Sequence, residues 1–124
     1  LKLAIKLNLD GVYIPSFNKK PTYKIFNNKK FILLGSAHNL KEISEKRRQK
    51  INLLFISPVF KIKKRNDFLS PIKFNILTKH FNKQTIVLGG INEKNIKMLN
   101  LINCYGFGSI SYIEKYKFNG KRNN

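Results

Sequence analysis

Five short apolar runs, separated by stretches of helical character, are the feature that most limits how this 124-residue chain can fold. The runs are residues 11–14, 31–35, 53–57, 85–88 and 106–110. Most of them are continuously apolar rather than alternating with polar residues, which is typical of strands buried on both faces in a parallel sheet. Strands that alternate with helices over short links are joined by right-handed crossovers. The sequence therefore predicts an α/β fold with a parallel sheet.

The stretch between the second and third runs carries a helix start signal. Asn39 can cap a helix over residues 40–50, and Glu42 stands at the third helical position, where it would complete a capping box. The inward side of this helix is predicted to carry Leu40, Ile43 and Arg47.

Two later stretches also carry signals for the start of a helix. Ser70 followed by Pro71 predicts a helix start, and the helix should run to residue 80. Its predicted apolar stripe consists of Ile72, Ile76 and Leu77. Asn92 can cap a third helix over residues 93–101, and residues 2–9 are typical of a helix end that leads into the first strand.

The charge balance favours anionic partners. The 25 Lys and Arg residues against 6 Asp and Glu give a net charge of +19, which attracts phosphorylated metabolites, nucleic acid or a membrane surface. The cations are spread along the whole chain rather than focused in one patch, so nucleic-acid binding is not favoured. No apolar run reaches the roughly 18 residues that a membrane span needs.

Two smaller features bear on location and completeness. The single cysteine, Cys104, excludes an internal disulfide and predicts a buried thiol in a reducing cytoplasm. The chain starts at Leu1, inside an apolar segment, so we expect further residues to precede it in the complete protein.

In parallel α/β folds, binding groups sit in the loops that follow the carboxyl ends of the strands. Gly89 and Gly90 follow the fourth run and precede a predicted helix, which suits the close approach of a phosphate to backbone N–H groups. One unit later, residues 106–111 form a second strand end with small residues that reaches Ser111. Barrels often divide a phosphate site between two such consecutive loops. The pair therefore predicts a phosphate site, with a plain tight turn at the glycines as the alternative.

A basic loop follows the third run. It carries four cations, namely Lys61, Lys63, Lys64 and Arg65. Placed beside an anion site, these side chains would hold a phosphate or pyrophosphate; the alternative is a solvated surface loop.

The second run ends in Ser36, Ala37 and His38. Ser36 can donate a hydrogen bond to an oxyanion, and His38 can transfer a proton near neutral pH. A histidine at this place is also commonly a structural group, so both interpretations stay open.

Residues 10–14 (DGVYI), 35–39 (GSAHN), 57–60 (SPVF) and 88–92 (LGGIN), with Ile110 and Ser111, occur in this order along nearly the whole chain. Together they resemble the thiamine phosphate synthase family, which includes the related thiazole tautomerases. The resemblance implies a partial TIM (β/α)8 barrel made of roughly strands four to eight. It also implies a domain over residues 1–116 and a basic tail over residues 117–124.

The resemblance implies a reaction as well. Enzymes of this family join a hydroxymethylpyrimidine pyrophosphate to a thiazole phosphate, and Mg2+ holds the pyrophosphate that leaves. By position, Ser36 and Arg65 would bind the pyrophosphate. The thiazole phosphate would be bound by Lys63, Lys64, Gly89, Ile110 and Ser111. In the tautomerase branch, the histidine that matches His38 is the acid–base residue.

The chain departs from the family pattern at two loops. After the first strand, Asn18 stands where the family has an aspartate that binds Mg2+, so no metal ligand is expected there. In the basic loop, two threonine hydroxyls of the family pattern are missing, and Ile62 stands at one of these places. Two alternatives therefore remain beside the synthase: a tautomerase-like isomerase that uses His38, and a non-catalytic module that binds RNA or another polyanion.

A chain that forms only half of a barrel is also expected to expose surfaces that a complete barrel buries. A (β/α)8 barrel typically needs more than ~200 residues, so this chain would leave two open strand edges and an uncovered sheet face. We therefore expect it to be marginally stable alone, to self-associate, or to require a missing N-terminal half.

Overall fold

The computed structural model describes residues 1–21, 31–64 and 66–117, and this part of the chain forms an α/β unit. Its strands are β1 (Gly11–Ile14), β2 (Ile32–Ala37), β3 (Leu53–Ile56), β4 (Gln84–Leu88) and β5 (Gly106–Gly108). Its α-helices are α1 (Lys2–Lys6), α2 (Leu40–Arg48), α3 (Ser70–Thr78) and α4 (Ser111–Lys117), and a 3-10 helix spans Ile96–Leu101. None of the described helices has the length and apolar character required to cross a membrane.

The five strands form one parallel sheet in the order β1-β2-β3-β4-β5. Each strand therefore pairs with its neighbour in sequence, as in the wall of a barrel. The predicted α/β class and parallel sheet are confirmed. Each predicted run overlaps an observed strand; β2 extends two residues further, to Ala37, and β4 begins one residue earlier, at Gln84. The predicted boundary at residue 116 stays a prediction, because residues 118–124 lie outside the described part.

The two faces of the sheet differ in burial. One face packs against the helices, and its central residues are buried, namely Ile14, Leu33, Ala37, Leu54, Ile56 and Val87. At the β5 edge of this face, Phe107 is 41% exposed. The opposite face is also apolar, but in the described chain Ile32 and Tyr13 there are 49% and 51% exposed. Leu34, Phe55 and Ile86, which lie between the strand edges on that face, are half-buried. In the part of the chain that the structure describes, the helices pack against one face and not against both, in agreement with the uncovered sheet face predicted for half of a barrel.

Helix α2 begins as predicted and turns a different side inward. The side-chain oxygen of Asn39 accepts from the backbone N–H of Glu42 at 3.0 Å, which confirms the cap. Of the predicted inward residues only Ile43 is buried, whereas Leu40 and Arg47 are exposed. The buried partner of Ile43 is Lys46, which lies one helical turn further along.

Helix α3 also corrects the predicted stripe. Ile72 is 74% exposed and Ile76 is 51% exposed, while Phe74 and Leu77 are buried in the core. Apolar residues occupy more than one side of this helix, so periodicity alone cannot identify the inward side. The side that packs into the core is the one that carries the large ring of Phe74. The side chain of Ser70 makes no capping hydrogen bond; the helix starts after Leu69.

The third predicted helix is shorter than expected. The side chain of Asn92 accepts from the N–H of Lys94 at 2.9 Å, but the regular element is the 3-10 helix Ile96–Leu101 after Asn95. Residues 93–95 form turns that lead from β4 into this element.

Candidate functional site

All five strands are parallel, so their carboxyl ends lie at one edge of the sheet. Ser36 lies near the end of β2, Gly89 follows β4, and Ser111 follows β5 after a two-residue link. The three segments that the sequence predicts to form an anion site are therefore on the same side of the molecule.

The loops after β3 and β4 are locked together by backbone contacts. The N–H of Val59 donates to the carbonyl of Leu88 at 2.9 Å, and the N–H of Phe60 donates to the carbonyl of Gly89 at 3.1 Å. Gly89 and Gly90 have φ angles of +90° and +73°, which residues with a Cβ rarely adopt. A Cβ at residue 89 would lie 2.7 Å from Pro58, so this glycine is required for packing as well as for the turn.

A serine joins the loops after β4 and β5. The hydroxyl of Ser109 donates to the carbonyl of Ile91 at 2.8 Å and accepts from the N–H of Tyr112 at 3.1 Å. Beside this connection lies a cavity of about 330 Å³, lined by Asn92, Glu93, Lys94, Ser111 and Tyr112. Gly89 is not part of this lining. The predicted pair of loops is thus held together through Ser109, which lies within the predicted segment 106–111 but was not singled out from the sequence.

Ser36 sits on the open face of the sheet, with its side chain almost buried. It is 7% exposed, and its hydroxyl oxygen accepts a hydrogen bond from the Tyr13 hydroxyl at 2.7 Å. Tyr13 also contacts Phe55 edge-on, with ring centroids 6.3 Å apart. Because Tyr13 occupies one acceptor position of Ser36, the serine proton remains available to a ligand oxygen. Sequence reasoning missed Tyr13; the available signal was that β1 and β2 are neighbours, so their side chains can share a face.

His38 is paired with a carboxylate. Its Nδ1 lies 2.9 Å from Oε2 of Glu42, and the same oxygen accepts from the backbone N–H of His38 at 2.7 Å. Burial alone would raise the pKa of Glu42, but the hydrogen bonds from the His38 side chain and backbone outweigh it and hold that pKa below its ordinary value. A carboxylate on Nδ1 orients the ring and leaves Nε2 for proton transfer. The predicted capping box is therefore wrong in one detail, since Glu42 binds His38 rather than the backbone of the cap residue.

The other residues predicted to bind phosphate are exposed to solvent or lie outside the part of the chain that the structure describes. Lys63 and Lys64 are exposed in a turn. Ile110, at 76% exposure, precedes α4, and Ser111 is the exposed first residue of that helix. Arg65 lies outside the described residues. The assignment of these side chains to phosphates stays a prediction.

The loop after β1 does not offer a magnesium site. The side-chain oxygen of Asn18 already accepts from the N–H of Lys20 at 3.0 Å. Its backbone carbonyl accepts from Lys46 and from Gln49. Within residues 1–21, 31–64 and 66–117, no three His, Cys, Asp or Glu side chains come close enough to hold a metal ion. The described loop after β1, residues 15–20, therefore offers Mg2+ no carboxylate ligand.

Cys104 is half-buried against the core, beside β5. Burial raises the pKa of its thiol, despite a backbone hydrogen bond at Gly106 that acts in the opposite direction. A neutral thiol is a poor nucleophile. The structural interpretation of this cysteine is therefore favoured.

Comparison with known proteins places these features in a family context. Residues 1–113 match the family model described as thiamine monophosphate synthase. A protein of Aquifex aeolicus named "Putative thiamine-phosphate synthase 2" is 29% identical over 112 residues, which cover 88% of this chain and 60% of that protein. A thiamine-phosphate synthase of Prochlorococcus marinus is 34% identical over 98 residues, which cover 76% of this chain and 28% of that protein.

A solved structure shares the fold. The thiamine phosphate pyrophosphorylase from Pyrococcus furiosus superposes with a TM-score of 0.68 at 18% identity, and the match covers 88% of this chain and 53% of that structure. The chain thus spans little more than half the length of this structure and of the Aquifex relative.

Proposed function

Because the chain belongs to the thiamine monophosphate synthase family, we propose that it supplies the carboxyl-end half of a synthase site that makes thiamine phosphate. The reaction joins a hydroxymethylpyrimidine pyrophosphate to a thiazole phosphate. The bond between the pyrimidine methylene carbon and the pyrophosphate oxygen breaks, and the thiazole nitrogen supplies the electron pair for the new C–N bond. We number β1 to β5 as strands four to eight of the barrel.

The observation that carries the proposal is the hydroxyl of Ser36, held by Tyr13 at the carboxyl edge of the sheet. A leaving pyrophosphate gains negative charge as its bond breaks, so fixed hydrogen-bond donors at its oxygens stabilise the transition state. With Tyr13 as the donor, one acceptor position of Ser36 is occupied and the serine's own proton is left for this task. Arg65 would add cationic character at the pyrophosphate, while Lys63 and Lys64 of the same loop after β3 are assigned to the thiazole phosphate.

The thiazole phosphate is assigned to the other end of the same edge. Gly89, Ile110 and Ser111 belong to the two loops that Ser109 joins, and Ser111 lines the cavity there. Because the described loop after β1 offers no carboxylate ligand for Mg2+, no step is assigned to a metal here. The partners proposed for the chain are phosphorylated small molecules in the cytoplasm, in keeping with a net charge of +19.

The test combines product formation with ligand binding. The chain is incubated with both substrates and Mg2+, thiamine phosphate is measured, and the affinities for inorganic pyrophosphate and for the thiazole phosphate are measured separately. Ser36→Ala should weaken pyrophosphate binding about tenfold or more, because it removes a hydrogen bond to a charged group. Ser44→Ala, an exposed serine of α2, is the matched control and should bind as the parent does. If no product forms and neither phosphate binds, the synthase proposal is wrong.

The His38–Glu42 pair favours a second candidate, a thiazole tautomerase-like isomerase. The carboxylate at Nδ1 gives His38 the orientation that an acid–base residue needs. In that case His38→Asn abolishes isomerisation of the thiazole phosphate, and the pyrimidine pyrophosphate has no effect on turnover. A His38→Asn variant that retains full isomerase activity would remove this candidate.

A further inference from the structure

The chain between β1 and β2 starts without a helix, which leaves backbone carbonyls in need of donors. Residues 15–21 follow β1 with turns and extended backbone, and one backbone bond, from the N–H of Asn18 to the carbonyl of Pro15 at 3.1 Å, stabilises the first turn. The carbonyl of Pro15 also accepts a hydrogen bond from a side chain of the neighbouring α2 region, as do the carbonyls of Asn18 and Lys20.

Lys46 provides the central donor. Its side chain is fully buried, and its ammonium donates to Pro15 O at 2.7 Å, to Asn18 O at 2.9 Å and to Oε1 of Gln49 at 2.9 Å. The amide nitrogen of Gln49 donates to the carbonyls of Asn18 and Lys20, each at 2.8 Å. Two side chains thus make five hydrogen bonds, four of which go to three backbone carbonyls of the loop.

A buried ammonium among neutral acceptors is an unusual choice for a core position. Burial lowers the pKa of Lys46, although the carboxylates of Glu42 and Glu45 on the same helix counteract this. Removing a charge from water is costly unless its hydrogen bonds are fully satisfied, as they are here. An apolar residue would fill the same space at a lower desolvation cost, but it would remove the charged donor from the carbonyls of Pro15 and Asn18 and leave them only the bonds from Asn18 N–H and from Gln49.

The neighbouring strand makes room for this side chain. Gly35 lies in β2, directly before Ser36, and a Cβ at that position would lie 3.2 Å from Cδ of Lys46 and 3.1 Å from two side-chain carbons of Ile51. These distances are tighter than ordinary van der Waals contact. Gly35 and Lys46 are therefore complementary in shape, and the lysine stem passes over the glycine towards the loop.

The loop that Lys46 holds borders the proposed site. Asn18 and Tyr13 line one cavity of about 510 Å³ beside β1. Tyr13 is the residue whose hydroxyl fixes Ser36. A displacement of residues 15–20 would therefore change the wall of this cavity next to the tyrosine.

We propose that Lys46 is a positioning residue for the loop that follows β1, and that its ammonium, with Gln49, holds Asn18 and the cavity wall beside Tyr13 in place for a phosphorylated substrate. The statement about the loop depends only on the contacts above. The statement about substrate rests on the proposed function.

The first measurement is hydrogen exchange by NMR, which requires no ligand. In Lys46→Met, a variant that keeps most of the stem and removes the ammonium, the amides of Asn18 and Lys20 should exchange about tenfold faster or more, because two charge-assisted hydrogen bonds to the loop are lost. The amides of β3 and β4 should keep the protection of the parent. Lys41→Met, an exposed lysine of the same helix, is the control and should leave all these rates unchanged.

Two results would overturn the statement about the loop. One is unchanged exchange at Asn18 and Lys20 in the folded variant; the other is a uniform increase over the whole sheet, which indicates a general stability effect. If Lys46→Met does not fold, Gln49→Leu is measured in the same way. It removes the bonds to Asn18 and Lys20 and should accelerate exchange at the loop but not in β3.

The second measurement is the affinity for inorganic pyrophosphate. If the parent chain binds it, Lys46→Met should bind about tenfold more weakly while Lys41→Met binds normally, and equal affinity in the two variants would refute the role at the site. If the parent does not bind pyrophosphate or the thiazole phosphate and forms no product, the proposed function fails, and with it the role for substrate. The exchange result would still decide the role of Lys46 in the loop.

Discussion

Replacing Gly90 by alanine should destabilise the edge of the sheet at which the loops after β3 and β4 meet. Gly90 has a φ of +73°, and a Cβ there would lie 2.6 Å from the carbonyl oxygen of Phe60 and 2.7 Å from that of Lys61. Both obstacles are backbone atoms, so no flexible side chain can move away. The loop after β3 would have to shift as a unit.

The expected loss follows from two contributions. Placing a residue with a Cβ in the left-handed region costs about 1–2 kcal/mol. Moving the loop weakens the bonds from Val59 N–H to Leu88 O and from Phe60 N–H to Gly89 O, each with a net value of about 0.5–1.5 kcal/mol. The free energy of unfolding should therefore fall by about 3 kcal/mol.

Urea denaturation followed by circular dichroism measures this loss. With a slope of about 1–3 kcal/mol per molar urea, the unfolding midpoint should fall by roughly 1–3 M. Gly106→Ala is the matched control, because a Cβ at Gly106 would lie 3.4 Å from Cδ1 of Ile86, an ordinary contact. That variant should keep its midpoint. Equal midpoints for the two variants, with equal slopes, would refute the claim that the loops after β3 and β4 are locked together at Gly90.

Three further outcomes are expected. Phe74→Ala should lower the free energy of unfolding by about 3–5 kcal/mol in urea melts, whereas Ile72→Ala should change it by less than about 0.5 kcal/mol; similar losses would restore the stripe predicted from sequence. The pKa of Glu42 is lowered in the folded chain, so its ionised form stabilises the fold above its ordinary pKa, and this contribution disappears as the pH falls through the lowered value. Between pH 3 and 7, the parent chain should therefore have a larger free energy of unfolding than Glu42→Gln only at the higher pH values. A difference between the two proteins that does not change with pH would contradict this. Because the face around Phe55 is incompletely covered, the chain alone should associate with rising concentration in sedimentation velocity; a monomer that melts cooperatively would argue against it.

Sequence determined the features of this protein that depend on neighbouring residues along the chain. The strands could be located because a continuous apolar run bounded by turn residues is a local signal. The cap by Asn39 is likewise a matter of one side chain and the N–H three residues later, and it forms as predicted. Gly89 and Gly90 were recognisable as a special turn because residues with a Cβ avoid positive φ angles.

Tertiary structure decided what depends on residues that are distant in sequence. Periodicity left the inward side of α3 undetermined until packing selected Phe74, and the hydroxyl of Tyr13 meets Ser36 only because β1 and β2 are neighbours. From the sequence alone, Lys46 would be predicted to be another exposed cation in a basic chain. Its burial follows from the space above Gly35 and from carbonyls some thirty residues earlier, as in its bond to Pro15. Hydrophobic periodicity records the average environment of a segment, whereas a hydrogen bond between distant residues depends on the three-dimensional path of the backbone.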